Sequence, residues 1–138
     1  EFLGALDPTH RYTIGYAINA AGDVVGAAQN PGSSNDVRAF IYTNEMGMQP
    51  IPPVGLVNLG WGLNPDRIVV GESTHTGVGN LGWVWTSTAG TRTLNSLIAP
   101  NENLNVLAAY DVNLSGQIIA WVFDNSVPHQ TAVLRFEP

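Results

Sequence analysis

Tyr16, Trp61 and Tyr110 stand at the same place in three similar stretches of this chain, and Trp85 and Trp121 add two more large rings in strand-like surroundings. An aromatic side chain offers a broad apolar face and, in Tyr and Trp, a polar handle at its rim. Exposed on a scaffold, such rings would stack against the C–H faces of a pyranose while neighbouring amides and carboxylates bond its hydroxyls. These five residues are therefore the candidate ligand-binding residues, with carbohydrate or another surface polymer as the ligand class. The same rings would also serve as packing between sheets. Of the 13 Asn residues, Asn101, Asn103 and Asn105 share one loop, a composition that suits hydroxyl recognition and ordinary turns alike.

Other chemistry finds less support. His10, His75 and His129 occupy non-equivalent places in the three stretches, and no pair has the helical spacing of a zinc site. There is no Cys, hence no disulfide, thiolate nucleophile or cysteine-ligated metal. Gly71-Glu72-Ser73-Thr74-His75 contains a serine between an acid and a histidine but lacks the G-x-S-x-G nucleophile turn. Asp111 to Gly116 begins like a calcium loop and lacks its distal Glu. Glycoside hydrolysis needs two carboxylates facing one cleft. Asp7, Asp23, Asp36, Glu45, Asp66, Glu72, Glu102, Asp111 and Asp124 are scattered, with no repeat-equivalent set. The sequence thus assigns no catalytic residue, no metal ligand and no cofactor. Binding is the leading expectation. The alternatives are a structural or protein-interaction module, and a hydrolase of glycans or esters.

The elements that must position these residues come from a repeat. Tyr16 to Gly26, Trp61 to Gly71 and Tyr110 to Ala120 each carry an aromatic, an aliphatic, then Asn, a turn, two β-branched residues and a small residue. Their Asn residues are 19, 64 and 113, spaced by 45 and 49 positions. A second segment follows each: Ala39-Phe40-Ile41-Tyr42, Gly82-Trp83-Val84-Trp85 and Ala132-Val133-Leu134-Arg135. A third, fainter one is Ile51-Pro52-Pro53-Val54 and Leu94-Asn95-Ser96-Leu97, its last counterpart standing at the other terminus as Leu3-Gly4-Ala5-Leu6.

The pattern reads as four strands per copy: 12–19, 23–30, 38–45 and 48–54, then 56–64, 67–74, 81–88 and 91–97, then 106–113, 117–124 and 130–137 with 2–6. Asn opens each first turn, and Gly22 and Gly116 close it in the left-handed conformation glycine tolerates. Arg67 takes that place in copy two, which makes its turn the most strained. Leu94 to Tyr110 has some helical character, interrupted by Pro100.

The phrase Ala17 to Gly26 followed by Ala39-Phe40-Ile41-Tyr42 resembles the HAF repeat of probable extracellular bacterial proteins. Leu3-Gly4-Ala5-Leu6 is similar to the segment that joins neighbouring repeats in that family. The resemblance is close in copy one and departs at Ala120 and Val133 in copy three. It implies secretion to the extracellular space or cell surface and a propeller-like architecture, and it supplies no catalytic residue.

Size and charge bound the rest. A chain of 138 residues makes one domain, here a single β-repeat domain over 1–138. Repeat one covers about 10–54, repeat two about 55–97, and repeat three about 98–138 plus 2–6. Apolar residues make up 44% and charged residues 12%, against the disordered pattern. All five cations are Arg, set against eleven acids for a net charge of −6, so no nucleic-acid partner is expected. No apolar run has the length of a membrane helix, so no membrane span is expected. The first residue is Glu1 rather than Met, as in a chain processed or cut from something longer.

A propeller normally needs at least four four-stranded units. Three therefore imply a homodimer forming a six-bladed ring by strand exchange, with strand 2–6 completing the last blade of the other chain. The alternative is a β-trefoil or β-prism monomer closed on a threefold axis.

Overall fold

A computed structural model describes residues 1–100, 102–124 and 127–138, and the side chains of all of these except Val127 and Pro128. The β-branched and aromatic runs form eleven strands among the described residues, with one short 3-10 turn at Leu94–Leu97 where Pro100 stops any longer helix. The fold is all-β. Strands β1 (Tyr12–Ile18), β2 (Val24–Gln29), β3 (Val37–Thr43) and β4 (Gly47–Pro50) form an antiparallel meander, unit one. Unit two repeats it with β5 (Val57–Leu63), β6 (Val69–His75), β7 (Gly79–Thr86) and β8 (Gly90–Thr93). Unit three has β9 (Leu104–Val112), β10 (Gln117–Asp124) and β11 (Val127–Arg135) among the described residues.

The outer strands β4 and β8 are shorter than expected, because Pro52, Pro53 and the 3-10 turn end the ladders early. Residues 2–6 form no strand, contrary to expectation. The free edge they were expected to complete belongs to β11, at the far end of the molecule from β1. They are held instead beside unit one. The Gly4 carbonyl accepts from Thr13 Oγ1 at 3.2 Å, and the Asp7 carboxylate accepts from the Thr9 and His10 amides at 2.7 Å.

The first turns behave as the repeat requires. Asn19 Oδ1 accepts the amides of Ala21 and Asp23, and Asn113 Oδ1 those of Ser115 and Gln117. Gly22 and Gly116 have φ of 84° and 74°, and Arg67 at φ 59° is the one non-glycine in this region among the described residues. A side chain there costs backbone energy. The Arg67 guanidinium offsets it by gripping the buried Asp23 carboxylate at 2.8 and 3.1 Å and Glu45 at 3.0 Å, which ties unit two back to unit one.

The ladder also corrects the alignment of copy three. Val25 faces Ile41, Val70 faces Val84 and Ile119 faces Val133 across their strand pairs. Val133 is therefore the counterpart of Ile41 and Val84, and Ala132, one residue earlier, that of Phe40 and Trp83. A slip of one residue changes the sheet face on which every side chain stands.

The units stack in a row. β5 packs on β2 and β3, and β9 on β6 and β7; no comparable packing joins unit one to unit three among the described residues. The row is open and its sheets do not close into a barrel. The apolar core lies at the junctions. One cluster joins Val25, Ala39 and Ile41 to Leu63, Val69 and Trp83. The other joins Val70 and Val84 to Val106, Val112, Ile118 and Ala120. Burying each of these larger side chains contributes about 1.5–3 kcal/mol.

Candidate functional site

Each first strand carries a β-bulge, and the bulged residue is the repeat aromatic. The ladder skips from Gly15 to Ala17, from Gly60 to Gly62, and between the partners of Ala109 and Asp111. Tyr16, Trp61 and Tyr110 are the residues left out of register. A bulge frees one residue from the ladder and re-aims its side chain. The three rings consequently form a continuous row across the units, with centroids 4.4 Å apart for Tyr16 and Trp61 and 6.2 Å for Trp61 and Tyr110. Strands can approach so closely because Gly62 lies where a Cβ would stand 2.7 Å from Asp111 Cα and the Tyr110 carbonyl oxygen.

Three residues beyond the rings runs a parallel row of amides. Asn19 Nδ2 donates to the Asn64 carbonyl at 3.3 Å, and Asn64 Nδ2 to the Asn113 carbonyl at 3.0 Å. Asn19 Nδ2 also donates to its own Asp23 at 2.9 Å, and Asn113 Nδ2 to its own Gln117 Oε1 at 2.8 Å.

Beside Tyr16 the row opens into a groove of about 590 Å³, lined by Tyr12, Ile14, Tyr16, Gln29, Ser34 and Leu59 among others. That volume suits a small ligand. Tyr12 and Tyr16 are both exposed there. The groove thus has two phenol rings, an amide and a hydroxyl in its lining. Nearer the other end of the row, burial pushes the Glu72 carboxyl above the usual carboxylate range, and the Trp61 indole N–H beside it offsets part of that rise. Trp61 Nε1 is itself buried without a hydrogen bond of good geometry among the described residues. Burial, then the Glu72 charge, pushes the Tyr110 hydroxyl up as well.

Of the five aromatics singled out from sequence, the fold unites Tyr16, Trp61 and Tyr110. Trp85 packs against the core cluster between units one and two. Trp121 stands on the outer face of unit three, its ring 4.8 Å from that of His129. Asn103 and Asn105 are exposed, and Asn101 lies outside the described residues. Tyr12, Gln29 and Ser34 escaped sequence reasoning because they do not recur; the alternation Tyr12-x-Ile14-x-Tyr16 was the one signal available.

The histidines remain dispersed. His10 is buried and bonds Asp7 through Nδ1 at 3.0 Å and Asp36 through Nε2 at 2.9 Å. No cluster of three or more metal-ligating side chains occurs among the described residues. No helix among them is long and apolar enough to cross a membrane. No protein-family model, curated protein or solved structure matches the chain. The resemblance to the HAF repeat therefore rests on the repeat residues themselves.

Proposed function

We propose that this protein is a binding module whose ligand is a carbohydrate, seated in the groove at the Tyr16 end of the aromatic row. The observation that carries this reading is the pair of exposed rings, Tyr12 and Tyr16, lining one groove with Gln29 and Ser34. A pyranose needs both parts: an aromatic face for its C–H surface, and amide or hydroxyl groups for its oxygens. The location that goes with this reading is extracellular or at the cell surface, as the HAF-repeat resemblance implies. The architecture that goes with it is propeller-like, the three units being half of a ring shared by two chains.

Trp61 supplies the test, because its ring touches Tyr16 and reports on it. Titration with the best hit from a glycan array should change tryptophan fluorescence saturably. Tyr12→Ala and Tyr16→Ala should each weaken binding at least about 10-fold, the loss usual for a central aromatic contact. An array without a hit, or binding that survives both substitutions, removes the proposal.

A further inference from the structure

We infer that the outer face of unit three is the seat of unit one of a second copy of this chain, docked head to tail. This deepens the two-chain reading above. The argument is internal to the repeat. On units one and two, the facing pairs Val25–Ile41 and Val70–Val84 are covered by the next unit and are 0%, 2%, 0% and 1% exposed. The same pair on unit three, Ile119–Val133, is 47% and 65% exposed. The opposite end shows the converse. Leu63 and Val112, which meet the preceding unit, are 7% and 4% exposed, whereas their counterpart Ile18 on unit one is 70% exposed. Each end of the molecule is thus one half of a junction that the chain makes twice within itself.

Two further features stop at these same ends. The aromatic row ends on Tyr16 and Tyr110, both exposed. The amide row ends on Asn113, whose Nδ2 bonds its own Gln117, as Asn19 Nδ2 bonds its own Asp23, but has no next unit's Asn carbonyl to reach as Asn19 and Asn64 do. A second copy docked in the internal geometry continues both rows, with Asn113 Nδ2 donating to the partner's Asn19. Its residues 2–6 would then run toward the free edge of β11, as β4 precedes β5 along the chain. Contact of this kind is heterologous, so it closes into a ring or grows as a filament.

The test is solution mass over a concentration series, by sedimentation velocity, on the wild-type chain and two variants. Ile18→Asp alters only the leading end and Val133→Asp only the trailing end; both side chains are exposed, so neither substitution should disturb the fold. The wild type is expected to associate, at two chain masses for a closed ring or progressively for an open filament. Each variant alone should be monomeric. Mixing them should restore a one-to-one pair, because each retains the face the other lacks. A wild type that stays monomeric overturns the two-chain reading. A wild type that associates while the variants still do so alone, or fail to pair when mixed, overturns this junction and leaves the two-chain reading standing.

Discussion

His10 joins the N-terminal segment to the body of the molecule through two carboxylates, one on each ring nitrogen. Carboxylates only accept, so both nitrogens must donate and the ring must be an imidazolium. The Asp36 hydrogen bond, followed by that from Asp7, raises the His10 pKa above its ordinary value. Asp36 is in turn held at about 2, chiefly by His10 and then by Asn30. The two groups act on opposite limbs of the pH profile. A raised histidine pKa contributes stability that is fully present below about 6.5 and is lost as pH rises through the folded-state value. A depressed carboxylate pKa contributes stability present above about 4 and lost as pH falls toward 2. Urea midpoints should therefore decline as pH rises beyond about 6.5 in the wild type and stay flatter in His10→Gln. Equal slopes in the two proteins would show that the segment is not held in this way.

At the scale of the element, the bulge and the amide row do the joining. Asn64 is buried, and its side chain accepts the Ile68 amide while donating to the Asn113 carbonyl. Asn64→Ala leaves both groups without their partner and should cost about 1–3 kcal/mol, read from urea denaturation. Gly62→Ala should cost a similar amount, about 1–3 kcal/mol, since the added methyl meets the backbone of Tyr110 and Asp111. Much of this level was legible beforehand. The recurring Asn and aromatic residues placed nine of the strands within a few residues, and the Arg67 turn was picked out from the glycine it replaces. Three things were not legible. The bulges depend on pairing register, which leaves no local signature. The contacts between Asn residues span 45 and 49 positions, so no window of sequence contains both partners. The sequence motif alone sets copy three one residue out of frame, since Ala132 and Val133 are both apolar and only the ladder distinguishes the two faces.

At the scale of the whole molecule, the sequence conveyed the three units and their β character. It did not convey where the core lies, because nothing in a repeat says whether apolar faces meet inside a unit or between units. Here they meet between units, and the middle one contributes to both clusters. No unit can then keep its apolar residues from water alone, and local opening should follow position along the row. Backbone amides of β6 and β7 should exchange with deuterium most slowly, and those of β4 and β11, each at an outer edge, soonest; uniform protection across the three units would contradict this. Losing either terminal unit would strip one side of the central sheet, so a single proteolytic cut between units should cost the protein its cooperativity rather than release an intact fragment.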